Sequence, residues 1–214
     1  MIKSILILTV TLLLPALTSA NDSIPDTQKL QQMLKTMRNV SANFIQHSTD
    51  AKGSKLNTMT GNLNAKAPGR FRWETTNFEN QQLLVSNGET LWVYDPDLMT
   101  VTVQKLDKRV EMTPALLLTG EINDINAAYD VFAEELQGEM HFVLLPKTVD
   151  ALFDRLRIEF NEAKTLQRMV IKDELGQKTM ITFTHVKTEN MLSDDLFEFI
   201  PPEGTDVIAQ GEQL

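Results

Sequence analysis

Few residues of this chain have the type and spacing that catalysis or metal binding requires. His47, His141 and His185 fall on expected strands or strand ends, and none has the His-x-x-x-His spacing that turns two imidazoles toward one metal ion. Ser86 sits between Val85 and Asn87, so it lacks the Gly-x-Ser-x-Gly elbow of a hydrolase nucleophile. No Gly-rich loop precedes a helix, so no backbone cradle for phosphate is built. Asp194-Asp195 reads as a helix N-cap and Glu134-Glu135 as a solvated edge, not as catalytic dyads. Asp95-Pro-Asp97 is too short for a calcium loop. No catalytic residue, metal site or cofactor is assigned. A lipid hydrolase stays as an alternative class, with the three histidines as its candidate bases.

The chain has 214 residues, 42% hydrophobic and 23% charged, which suits one good-sized globular domain or two small ones. Its net charge of −9 opposes nucleic acid as a main partner, since phosphate binding needs a basic face. With no cysteine, a disulfide framework, a zinc-thiolate site and a thiol nucleophile are all excluded. Residues 1–20 read as a cleaved signal peptide. Lys3 is the positive region, Ile5 to Leu14 the apolar run, Pro15 the break, and Thr18-Ser19-Ala20 the small residues before cleavage. No later stretch is apolar enough to span a bilayer as a helix. The reading is an exported, soluble single domain over residues 21–214.

The elements that would position any site are mostly strands. Asn87-Gly88 joins two of them, Leu83–Ser86 and Glu89–Tyr94, through a turn expected to hold φ > 0 at both positions. Asp95-Pro96-Asp97 ends the second, and Met99–Gln104 forms a third. Upstream, Asp26 after Pro25 is the expected N-cap of a helix whose Leu30, Met33, Leu34, Met37 and Val40 share one face. Strands follow at 41–49, at Leu56–Ala65 and from Phe71. Thr113-Pro114 opens a short apolar helix through Leu118, stopped at Gly120. A helix that short holds only through tertiary contact. Residues 122–130 are a loop or a helical turn. Strands resume at Val131–Leu136, Met140–Leu145, Leu156–Phe160, Leu166–Glu174 and Lys178–Lys187, and Pro201-Pro202-Glu-Gly204 closes the domain. A long unclosed sheet with apolar helices over its mouth encloses a cavity instead of a filled core. The many methionines, Met59 and Met169 among them, suit variable apolar ligands and also serve as routine gap-fillers.

The stretch Leu84-Val-Ser-Asn-Gly-Glu-Thr-Leu-Trp-Val-Tyr-Asp-Pro96 resembles the signature of the periplasmic outer-membrane lipoprotein carrier family, LolA. Gly61-Asn-Leu63 with Pro68-Gly69 and Phe71-Arg-Trp73 is similar to that family's strand pair. Thr113-Pro114 and its leucines resemble the short lid helix. Phe142-Val-Leu-Leu-Pro-Lys147 and Phe197-Glu-Phe-Ile-Pro-Pro-Glu-Gly204 resemble later segments, so the likeness runs in order through the mature chain. A related half-barrel sensor would add a second domain, for which this chain is too short.

The resemblance implies an α+β, mainly β fold: an incomplete antiparallel β-barrel with a helical lid over its open side. It implies a non-enzymatic, monomeric periplasmic carrier. Such a carrier takes acylated lipoproteins from an inner-membrane ATP-driven releasing complex to a LolB-like outer-membrane receptor. It assigns the acyl-chain cavity and lid to Leu30, Leu34, Met37, Phe71, Trp73, Trp92, Leu116, Leu117 and Leu118. Partner contact and lid control fall to Lys66, Arg70, Phe71 and Arg72. The likeness departs at two points. The family's Lys-Arg-Pro is Lys66-Ala67-Pro68 here, so the Arg that helps hold a closed lid is Ala67, with Lys66, Arg70 and Arg72 as substitutes. The family's Pro after Phe-x-Trp is replaced by Asn77 to Asn80.

Overall fold

A computed structural model of the chain describes residues 24–77, 81–106, 114–119, 125–149, 151–188 and 191–210. The expected signal peptide, Thr113, Gly120, residues 122–124 and residues 78–80 lie outside them.

The helix α1 spans Asp26–Lys35, with its apolar stripe turned inward: Leu30 and Leu34 are buried, as is Met37 just beyond its end. Asp26 is its first helical residue and not its N-cap. Pro25 occupies the cap and, having no polar side chain, makes no side-chain cap bond. Asp26 reaches sideways instead. Its Oδ2 accepts the backbone N–H of Ala133 at 2.9 Å, and its Oδ1 accepts from Lys29 Nζ at 2.9 Å. These two donors hold its carboxyl below the usual carboxylate range. A lowered folded pKa means stability present above pH ~4 and lost as pH falls through the folded value. Asp26→Ala is therefore expected to lower stability by about 1 kcal/mol at neutral pH. Thermal melts should show that difference shrinking as the pH is taken below about 4.

Eleven strands then form an antiparallel run. They are β1 Asn39–Thr49, β2 Lys55–Lys66, β3 Arg70–Thr75, β4 Gln82–Asn87, β5 Thr90–Asp95, β6 Thr100–Lys105, β7 Tyr129–Leu136, β8 Glu139–Pro146, β9 Arg155–Phe160, β10 Leu166–Lys172 and β11 Lys178–Lys187. A twelfth, β12 Asp206–Gln210, pairs parallel to β6. The order β12-β6-β5-β4-β3-β2-β1-β11-β10-β9-β8-β7 makes one sheet whose end strands are not joined. Two 3₁₀ helices, η1 Pro114–Thr119 and η2 Asp194–Phe197, and a single helical turn, α2 Ile125–Ala128, complete the described elements.

Alternation sorts the side chains to two faces. One face carries Val40, Ala42 and Phe44 on β1, Leu63 and Ala65 on β2, Phe71 on β3, Ile181 and Phe183 on β11, Met169 on β10, Ile158 on β9 and Phe142 on β8. With α1, α2 and η1 packed over it, this face forms the main buried cluster. The opposite face bears a smaller core of Val85, Val101 and Phe197, where η2 packs on β3 and β4 and Phe199 lies 5.3 Å from Tyr94.

The Asn87-Gly88 turn departs from the geometry expected of it. At the β4–β5 reversal only Gly88, φ +96°, takes positive φ. Asn87 uses its side chain, Oδ1 accepting from the N–H groups of Glu89 and Thr90. The turn with φ > 0 at both positions is Gln137-Gly138, at +53° and +85°, between β7 and β8.

Candidate functional site: an apolar cavity beneath a short helix

The inner face is not filled everywhere. A cavity of about 400 Å³ lies between η1 and the strands β1–β6, β10 and β11. Its floor is apolar: Phe71 and Trp73 on β3, Leu84, Leu91, Met59, Met169, Ile171 and Ile181, closed over by Ala115 and Leu118 of η1. Gln46, Thr75, Gln82 and Gln104 complete the lining. Trp73 is braced by Phe44 at 4.3 Å and by the edge of Phe183 at 6.3 Å.

The close stacking of Phe44 on Trp73 has a local cause. Phe44 pairs across β2 with Gly61, and a Cβ there would stand 2.5 Å from the Phe44 ring and 2.0 Å from the Glu74 carbonyl oxygen. A strand glycine thus marks a close approach of ring and backbone.

The candidate residues divide by location. Phe71, Trp73 and Leu118 line the cavity. Leu116 and Leu117 belong with Leu118 to η1 and are buried in the cluster beneath it. Leu30, Leu34 and Met37 lie in the same cluster under and just beyond α1, away from the cavity wall. Trp92 is displaced from the expected set. Leu91 lines the cavity, and its neighbour Trp92 therefore points to the other face, paired with Val85 and Val103.

The basic residues also serve a different segment. Lys66 Nζ donates to Leu192 O at 2.9 Å and to Asp194 Oδ1 at 2.6 Å, and Arg70 Nη1 lies 3.7 Å from the same oxygen. The Lys66 hydrogen bond, then the Lys66 and Arg70 charges, hold the Asp194 carboxyl below its ordinary value. Asp194 is thus an anchor for η2, not a helix cap, and Ser193 stands at the cap. Arg72 Nε is 3.6 Å from Glu74 Oε2. Lys66, Arg70 and Arg72 lie on the face opposite Phe71, where the described contacts of Lys66 and Arg70 clamp the C-terminal segment instead of η1 and that of Arg72 stays within β3. Glu134 and Glu135 are exposed on the end strand β7, as the sequence suggests.

Sequence reasoning missed Gln46, Gln82 and Gln104 as lining. Glutamine on a strand reads as the solvent side, and only register shows that these share a face with Phe44, Leu84 and Leu91. Among the described residues no group of three or more His, Asp or Glu side chains is placed to hold a metal ion.

Residues 35–200 match the model of the family described as "Outer membrane lipoprotein carrier protein LolA". The chain is 42% identical over 195 residues to an outer-membrane lipoprotein carrier protein of Azotobacter vinelandii, covering 91% of this chain and 93% of that one. It is 43% identical to the protein of the same name from Pseudomonas paraeruginosa, covering 91% and 92%. An uncharacterized conserved protein from Thermus thermophilus shares the fold, with a TM-score of 0.51 at 12% identity over 87% of this chain and all of that one. The inner apolar trough, the short helix above it and these relatives agree, and the chain belongs to the LolA family of outer membrane lipoprotein carrier proteins.

Proposed function

We propose that this protein is a non-enzymatic periplasmic carrier that shields the acyl chains of lipoproteins between the inner and outer membranes. The observation that carries the reading is the apolar cavity partly covered by a six-residue 3₁₀ helix, in a chain of the carrier family. The 3₁₀ geometry makes poorer hydrogen bonds than an α-helix, and so short a piece has little stability of its own. Its attachment rests on Leu116, Leu117 and Leu118, all buried. Exposing three leucines costs roughly 5–9 kcal/mol, at ~1.5–3 kcal/mol each. About ten methylenes of cargo, at ~0.8 kcal/mol each, offset that when they take the vacated surface. The empty carrier therefore stays shut and a loaded one stays open.

A volume of about 400 Å³ lies at the low end of the ~300–1,000 Å³ typical of drug-sized ligands. Two or three acyl chains need more room, so loading requires η1 to swing away. In this reading η1 is the lid, Phe71, Trp73 and Leu118 are contact surface, and α1 with Leu30, Leu34 and Met37 is the shoulder against which the lid rests. Residues 1–20 direct export and are removed. The suppliers and receivers are an inner-membrane ATP-driven releasing complex and a LolB-like outer-membrane receptor. Vesicles bearing labelled lipoprotein, the releasing complex and ATP test this. The mature protein should bring the label into a soluble one-to-one complex, and its failure to do so would count against the carrier role.

A further inference from the structure

We infer that the cavity is polarised along its length, and that Gln46 and Gln82 hold the carbonyl-bearing junction of the cargo while its hydrocarbon ends lie toward Phe71. This rests on the carrier reading and specifies how the cargo sits. The register sets the two ends apart. Phe71 lies at one end of β3, level with Leu91. Thr75 lies four residues further along the same strand, about 13 Å away at ~3.3 Å per residue, and pairs directly with Gln82. Gln46 lies toward that same end, one pleat beyond Phe44 and paired with Met59.

The end bearing Gln46, Thr75 and Gln82 meets solvent, since both Gln81 and Gln82 are exposed. The polypeptide attached to an acyl chain must stay in water, so the junction belongs where the cavity is wet. An acyl chain is joined through a carbonyl, an acceptor that has to exchange its water for another donor. A carboxamide supplies two N–H donors and one acceptor without charge. Gln46 has capacity to spare, because its described side-chain contact is Nε2 to the Met59 thioether sulfur at 3.9 Å, a weak acceptor. Thr75 is committed differently. Its hydroxyl donates to Gln82 O at 3.1 Å and accepts from Gln82 N at 2.7 Å, which fixes the backbone from which the Gln82 side chain extends. Gln104 sits level with Leu91, on the far side of the floor from Gln46.

The experiment compares two probes on wild type and on the double variant Gln46→Leu/Gln82→Leu. One is a synthetic diacylglyceryl lipopeptide with a fluorescent label, the other a pyrene-labelled alkane without a carbonyl. The double variant should bind the lipopeptide about tenfold more weakly, a difference of about 1.4 kcal/mol, and bind the alkane as well as or better than wild type. Unchanged lipopeptide affinity would overturn the inference and leave the carrier reading standing. Equal loss of both probes would also overturn it, because that marks damage to the cavity itself. Failure of wild type to bind the lipopeptide while still binding the alkane would strike at the carrier reading instead.

Discussion

Phe71→Glu is expected to reduce transfer of a labelled lipoprotein at least tenfold while leaving the far-UV circular dichroism of the sheet in place. Phe71 is 1% exposed and forms cavity floor together with Trp73 on β3, a strand that η1 contacts. A carboxylate there must either be hydrated or take up a proton. Hydration is the easier course, because η1 can lift and admit water. The lid then rests open over a floor that repels hydrocarbon, and the carrier loses both its shut state and its grip. A second variant keeps the test clean. Phe71→Leu preserves an apolar floor and should retain most transfer, although it leaves space beneath the lid. Leu34→Glu is expected to impair transfer as well, through the shoulder that supports η1. Normal transfer by both glutamate variants would place cargo binding elsewhere.

Gly61→Ala is expected to be among the most damaging single methyl groups the fold could receive. The added carbon would stand 2.0 Å from the Glu74 carbonyl oxygen, a backbone atom with no rotamer to yield. It would also press 2.5 Å from Phe44 Cζ, and Phe44 is itself held against Trp73. Relief requires β2 and β3 to separate or the Phe44–Trp73 stack to break. Overpacking of this kind costs about 3 kcal/mol or more. For a chain of this size that is a fall of roughly 6–12 °C in the melting temperature. Scanning calorimetry gives the answer, and a shift under 2 °C would mean that the ring and strand move freely. Because Trp73, which Phe44 braces, is cavity floor, lipopeptide binding should fall along with stability.

The strands were legible in the sequence because alternation and turn residues are local signals. Each of β1 to β11 has such a pattern, and the ordered motifs placed the chain in its family. Faces were less legible. Leu91 and Trp92 are neighbours of similar character, and only the pairing with Ser86 and Val85 shows which one enters the cavity. A period of two leaves that choice open until the register is known. Long-range polar pairings left no local trace either. Lys66 and Asp194 are 128 positions apart, and nothing in the chain near either residue marks the pair. The strand β12 was missed because all five of its residues are exposed and it follows a Pro-Pro-Glu-Gly segment that reads as an ending. The short helix η1 was expected from its leucines. Its 3₁₀ form was not, since side-chain pattern at that length does not separate the two helical hydrogen-bond ladders.

Leaving the barrel unclosed has a consequence for life at high concentration. A closed barrel has no free margins, whereas this sheet ends in two, each a potential template for fibril growth. Each margin is blunted in its own way. Along β7, Asp26 occupies the outward N–H of Ala133, and Glu134 and Glu135 would bring like charges together if two copies aligned. Along β6, whose Thr-Val-Thr-Val core is strongly β-prone, the short β12 takes the vacant positions and offers only five residues to a newcomer. The openness that admits a greasy cargo is thereby kept from recruiting another copy of the same chain.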